Sequence, residues 1–172
     1  KSNIENIVFF RSILGFLILF FLLFISNKKI LDCFKTKNIK IHILRAIFGI
    51  FAMFYGYKSL MYLSLAQAST IGFSKVFFTC IFSALIFSEN FNLRTFFLII
   101  LGFIGIILIT NPTQINSWVG LSMSIFSAIC VSGGIISISY LSKKDKTATI
   151  LFYHSLISTI IFFIVFKKEI SF

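Results

Sequence analysis

Apolar residues in this chain are gathered into blocks about as long as a bilayer is thick, and that restricts the fold more than any single motif. Six blocks, at residues 7–25, 43–65, 68–87, 95–110, 118–141 and 147–166, approach the roughly 20 residues that a helix needs to cross about 30 Å of hydrocarbon. The fourth is short and needs a further turn at one end. Backbone in lipid must satisfy its own hydrogen bonds, so only helices and closed barrels span it. Barrel strands alternate apolar and polar residues, and these blocks do not. With 58% hydrophobic residues and 12% charged, about half the usual share of charge, there is too little polar surface to cover a soluble domain. The expected fold is all-α: a multi-pass helical membrane protein with six transmembrane helices.

A net charge of +11 would suggest nucleic acid in a soluble protein. Here the basic residues sit in short links between apolar blocks, as a topology signal does, and nucleic acid is excluded as a partner; the partners expected are the lipid bilayer and a small-molecule substrate. Lys28, Lys29, Lys35, Lys37, Lys40 and Arg45 follow the first block, Arg94 follows the third, and Lys143, Lys144 and Lys146 follow the fifth; Lys1, Lys167 and Lys168 fall on the other side. Ten against three places loops 26–42, 88–94 and 142–146 in the cytoplasm and runs the first helix inward. Trp118, opening the fifth block, fits an interfacial anchor. Cys33, Cys80 and Cys130 are an odd set without close spacing and read as small packing residues. His42, in a basic loop, and His154, inside the sixth block, have no second His, Cys or acid at ligand spacing. No metal site and no cofactor is expected. The chain starts at Lys1 without a cleavable signal and reads as a fragment. Oligomeric state is not legible; a homodimer is compatible.

Two lysines interrupt apolar runs. Lys58 lies in the second block and Lys75 in the third, and a short link at 64–69 makes these helices antiparallel neighbours. Counted from between Ala66 and Gln67, each lysine is the ninth residue away, roughly 13 Å in at ~1.5 Å per residue. Charges that deep are costly and usually face a bundle interior or a wet cavity. The acids Glu5, Asp32, Glu89, Asp145 and Glu169 all lie outside the middle of a block. Glu89 and Arg94 are expected to pair across a short link.

Small residues recur at helical spacing. Gly120, Ser124, Ala128 and Ser132 form a stripe at steps of four, and the fourth block carries Gly102 and Gly105. Such stripes let helices approach closely in lipid, so these six are expected to be packing positions. Pro112, within Asn111-Pro112-Thr113, is the only proline and stops the fourth helix, marking a seam between halves of the kind found in inverted-repeat transporters.

From Arg45 to Pro112 the sequence resembles the EamA domain of the drug/metabolite transporter superfamily. Ser59-Leu60-Met61-Tyr62-Leu63-Ser64-Leu65-Ala66-Gln67-Ala68 is similar to the stretch joining the family's third and fourth helices, and Ile71-Gly72-Phe73-Ser74 to the start of the fourth. Ser88-Glu89 resembles its acidic ending. Gly102, Gly105 and Ile106 to Ile109 resemble the glycine-spaced fifth helix, and Phe9-Phe10-Arg11 the entry of the second. The resemblance implies ten helices in two inverted five-helix repeats. Residues 1–112 would then be a first repeat lacking its first helix, and 113–172 the start of a second. The family often has a proline in its fourth helix where this chain has Val76, a departure that implies loss of a kink.

The family's third and fourth helices line its central cavity, and those are the second and third blocks here. Tyr55, Lys58 and Tyr62 share a face at steps of three and four, as do Lys75, Phe78 and Thr79 with Ile71 and Gly72. An ammonium flanked by aromatic rings suits a carboxylate or phosphate beside an aromatic or cationic group. The resemblance implies a secondary transporter in the bacterial inner membrane. The phrase 65–73 is most similar to alphaproteobacterial members, some of which take up S-adenosylmethionine by exchange. Export of amino acids or anionic metabolites, or a non-transporting membrane scaffold, are the alternatives. No two-His motif, acid pair or Ser–His arrangement suggests an enzyme.

Overall fold

A computed structural model of the chain describes residues 4–25, 36–87, 93–110 and 117–166. Those residues form α-helices and no strands: α1 (Ile4–Ile25), α2 (Ile39–Ser59), α3 (Leu65–Gly72), α4 (Lys75–Phe87), α5 (Leu93–Thr110), α6 (Trp118–Ser142) and α7 (Thr147–Phe166). Four stretches are long and apolar enough to cross a membrane: Ile39–Ser59, Leu65–Phe87, Trp118–Ser142 and Thr147–Ile164; α1 and α5 carry shorter apolar segments. Large apolar side chains point outward along most of them, with Phe21, Leu85 and Leu108 62%, 74% and 75% exposed. Apolar surface on that scale needs lipid or further protein against it. The chain is a multi-pass helical membrane protein.

The bounds of α2 differ most from expectation. α2 begins at Ile39 and ends at Ser59, where residues 43–65 were expected. Its end tightens, because the N–H groups of Leu60, Met61 and Tyr62 donate to the carbonyls three residues back, and Ser59 Oγ donates to Gly56 O at 2.7 Å. The next helix then starts on a reciprocal cap. Gln67 N–H donates to Ser64 Oγ (3.3 Å), and Ser64 N–H donates to Gln67 Oε1 (3.0 Å). This Ser-x-x-Gln capping box fixes the start at Leu65.

The third block is one span in composition but two helices in structure, interrupted at Phe73 and Ser74. The block expected as a single helix is thus interrupted, although Val76 stands where the family often has proline. Phe73 N–H is shared between Ser69 O and Thr70 O, Ser74 N–H goes to Ile71 O and Val76 N–H to Phe73 O. A local tightening to three-residue hydrogen bonds, beside the weak helix former Gly72, interrupts a helix without a proline.

The described residues divide into two units. The first comprises Lys1–Ile50 and Ser137–Phe172. In it α1 and α7 run antiparallel: Phe9 stacks on Phe163 at 6.2 Å, Thr159 Oγ1 donates to Ser12 O at 3.3 Å, and Phe16 meets Phe152 at 6.2 Å. Phe152, 3% exposed, centres an apolar cluster with Phe16, Leu19, Ala148 and Leu156. The second unit, Phe51–Ile136, contains α3, α4, α5 and most of α6, and α3 packs on α5. The turn expected at 111–113, the acid Glu89 and the basic residues Lys28, Lys29, Lys35, Lys167 and Lys168 lie outside the described residues.

Candidate functional site

The two lysines are not equally placed. Lys58 is the next-to-last residue of α2, whereas Lys75 opens α4, ten residues beyond the start of its span at Leu65. At ~1.5 Å per residue Lys58 is about one residue inside its helix end and Lys75 about 15 Å from its own. The equal-depth count fails because α2 stops six residues earlier than its hydropathy does. Each ammonium lies near a ring of its own segment, Lys58 Nζ 5.2 Å from Phe54 and Lys75 Nζ 5.6 Å from Phe73. Among the described residues neither meets a carboxylate.

The aromatic partners named with them divide. Tyr55 packs edge-on to Phe126 at 4.9 Å, and Tyr62 lies in the turn after α2, 47% exposed, so it does not continue the helical face of Tyr55 and Lys58. Phe78 stands edge-on to Phe77 at 6.1 Å, and Thr79 Oγ1 donates to Lys75 O at 2.7 Å.

Beside Lys75 runs the small-residue stripe of α6. Gly120 is buried, and Ser124, Ala128 and Ser132 are at most 4% exposed. A Cβ on Gly120 would lie 2.7 Å from Tyr62 Cβ and 2.8 Å from Leu63 Cγ, so the helix can pass there only as glycine. Ser124 Oγ donates to Ala68 O at 3.4 Å and Ser132 Oγ to Lys75 O at 2.7 Å. Contacts that advance together along both segments make them parallel. The other face of α6 meets α2, where Ser127 Oγ donates to Ala52 O at 2.7 Å. Gly102 and Gly105 behave otherwise, since an added Cβ at either meets nothing within 4 Å. Gly102 instead lines an apolar groove of about 510 Å³ between α5 and the interruption at Phe73 and Ser74. Ser74 Oγ is the one buried hydroxyl there without a partner.

The first unit holds a polar cluster that the spacing of single residues did not indicate. His42 belongs to the first turn of α2, is 1% exposed, and its Nε2 lies 3.0 Å from Asp145 Oδ2. The expectation that His42 sits in a loop is corrected, since the helix starts at Ile39; the acid it meets is distant in sequence and not at ligand spacing. Thr36 Oγ1 donates to the same oxygen at 2.9 Å and Asn38 Nδ2 at 3.4 Å. Burial raises the Asp145 carboxyl, but the hydrogen bonds from Thr36, His42 and Asn38 and the charge of His42 outweigh it and leave the group below its ordinary value. The cluster fastens the start of α2 to the link before α7. One turn further along α2, Arg45, 8% exposed, donates from Nη1 to Ile150 O at 3.3 Å. One turn further again, the His154 ring occupies the space of a side chain at Gly49, its Cε1 2.5 Å from where a Cβ would stand. The sequence signal available was the spacing of His42, Arg45 and Gly49 at steps of three and four; the acid that answers it lies 103 residues away. Among the described residues no three His, Cys, Asp or Glu side chains converge as metal ligands.

Known proteins with similar sequences are membrane transporters. The chain is 25% identical to the pseudopaline exporter of Pseudomonas aeruginosa over 157 residues, 91% of this chain and 54% of that protein. It is 31% identical to an uncharacterized transporter of Helicobacter pylori over 144 residues (84% and 46%). It is 27% identical to a probable transport protein of Saccharomyces cerevisiae over 141 residues (69% and 40%). The chain thus spans about half the length of the curated relatives it matches. No solved structure matches it. Residues 1–111, covering α1 to α5, match the model of the EamA-like transporter family, and with a family match over well more than half its length the chain belongs to that family.

Proposed function

We propose that this chain forms part of a secondary transporter that moves a small metabolite with an anionic group across the bacterial inner membrane. Lys75 carries the reading: an ammonium about 15 Å into a span, at the point where the helix is interrupted, with no carboxylate against it among the described residues. Intramembrane ionisable residues mark substrate or ion paths by default, and interrupted helices place such groups at binding sites. Lys58, Tyr55, Tyr62, Phe78 and Thr79 complete the proposed contact set, Tyr62 from the turn rather than from a shared helical face. Family membership supports transport rather than catalysis or a scaffold role. Export is the favoured direction, because a named relative is an exporter; no relative named above favours S-adenosylmethionine uptake.

The family match ending at residue 111 supports a first repeat over 1–112 and the start of a second over 113–172. The ten-to-three count of basic residues supports cytoplasmic placement of loops 26–42, 88–94 and 142–146.

Counterflow of labelled amino acids and organic anions, S-adenosylmethionine included, in proteoliposomes of the full-length protein tests the reading. Transport of at least one solute is expected, reduced at least tenfold in Lys75→Ala. Lack of counterflow with every solute refutes the transporter reading, and wild-type rates in both Lys58→Ala and Lys75→Ala refute the contact set.

A further inference from the structure

We infer that Arg45 and His154 form an oxyanion-binding site in the first unit, separate from the lysines of the second. Four described polar side-chain atoms in this unit are buried without a hydrogen-bond partner: His42 Nδ1, Arg45 Nε, His154 Nδ1 and Ser158 Oγ. Such orphaned groups are rare in folded proteins and call for water, an ion or a ligand. They lie on two facing surfaces, His42 and Arg45 on α2, His154 and Ser158 at a step of four on α7.

Arg45 sets the chemistry. A guanidinium cannot discharge by losing its proton, and it offers five N–H donors in a planar fork suited to carboxylate and phosphate. Here one donor is used, on Ile150 O, which lies one turn before His154 on α7. Asp145 is committed to Thr36, Asn38 and His42, and no ion pair joins it to Arg45 among the described residues. Arg45 reaches α7 one turn before His154, and the His154 ring lies against α2 at Gly49, one turn after Arg45, so both groups lie on the same α2–α7 seam. Gly49 permits this, since any side chain there would displace the imidazole. A buried, uncompensated cation with an unfilled fork beside an imidazole is the chemistry of a carboxylate or phosphate site.

The oxyanion has two sources, a free solute or an anionic lipid headgroup, because Arg45 lies only about 9 Å along α2 from Ile39. The inference rests on the transporter reading only for the solute's identity, so binding is measured apart from transport. The full-length protein is placed in nanodiscs of phosphatidylcholine alone, or with phosphatidylglycerol, and its thermal unfolding is followed with added inorganic phosphate, acetate or, for ionic strength, chloride. Lys75→Ala removes the lysine site, and in that background a midpoint that rises with the logarithm of phosphate or acetate concentration, beyond chloride, and no longer rises once Arg45→Gln is added, identifies a solute site. A rise with phosphatidylglycerol that Arg45→Gln abolishes identifies a headgroup site. No rise with any probe, or the same rise in Arg45→Gln, overturns the inference. Should Arg45→Gln fail to fold, His154→Gln and the ring ¹⁵N shifts of labelled histidine decide. Phosphate- or lipid-dependent movement of the His154 signal, with a weakened midpoint response in the variant, supports the site; an unmoved signal overturns it.

Discussion

Replacing Asp145 by alanine should cost about 3 kcal/mol of stability, and replacing it by asparagine about 1 kcal/mol. Oδ2 of Asp145 accepts from Thr36 Oγ1 at 2.9 Å, His42 Nε2 at 3.0 Å and Asn38 Nδ2 at 3.4 Å. These donors do not lose equally. Thr36 and Asn38 are only partly buried and can turn to water once the carboxylate is gone, so each contributes a few tenths of a kcal/mol. His42 cannot, because its side chain is fully buried and its Nδ1 is already unpartnered. In Asp145→Ala the imidazole would have no partner at either nitrogen, and an orphaned buried donor costs about 1–3 kcal/mol. Asparagine keeps an acceptor for His42 Nε2–H and loses only the charge assistance. Unfolding by sodium dodecyl sulfate in mixed micelles, followed by far-ultraviolet circular dichroism, reads both. Equal loss in the two variants, or loss under about 0.5 kcal/mol in both, would refute the reasoning.

The same carboxyl gives a pH dependence. Its native value lies below the ordinary one, so its stabilisation is fully present above the unfolded value of about 3.9 and fades as pH falls through the native value. The difference in unfolding midpoint between wild type and Asp145→Asn should shrink as pH falls below about 4; a difference that stays at its neutral-pH size at pH 2 contradicts the assignment. Gly120→Ala should destabilise by about 1–3 kcal/mol through overlap with Tyr62 and Leu63. Gly102→Ala, with open space at its Cβ, should stabilise by up to about 1 kcal/mol. The same titration checks the pair, and like signs would show the close approach is absent. Ser132→Ala should cost only about 0.6 kcal/mol, the average for a hydrogen bond between membrane helices, since Lys75 O keeps Thr79 Oγ1 as a donor; a loss beyond 2 kcal/mol would mean the hydroxyl positions more than one carbonyl.

Hydropathy made most of the helices legible, because a 20-residue apolar run in a chain this poor in charge has one stable form in lipid. It was least informative at ends and interruptions. α2 stops at Ser59 although Leu60 to Leu65 are as apolar as what precedes them, and the stop is written in the Ser64–Gln67 capping box, a polar signal inside an apolar run. The break at Phe73 and Ser74 is read more weakly, from Gly72 alone. Gly120 and Gly102 look alike in sequence, and only the segment packed beside each separates a close approach from open groove. Lys75 was legible as an unusual charge. His42 was not, since Asp145 lies in a surface-like Lys-Lys-Asp-Lys link and nothing near His42 in sequence points to it.

The charges that remain follow a common constraint. The chain has 16 lysines and arginines against five acids, and the one acid whose side chain is described is engaged by His42. Lys58, Lys75 and Arg45 are therefore not answered by carboxylates among the described residues. Their ways of meeting the desolvation cost differ with position. Lys58 is one residue from the end of α2, close enough for its stem to bring the ammonium to an interface at that end. Lys75 starts about 15 Å in, too deep for that. Arg45 is nearer an end but is enclosed by protein, so its guanidinium is held away from water whatever its depth. The need for an external anion thus rises from Lys58 to Lys75 and Arg45, and loss of solute-dependent behaviour on neutralisation should rise in the same order. A transport defect in Lys58→Ala larger than in Lys75→Ala would mean that burial depth is not what selects these cations for binding.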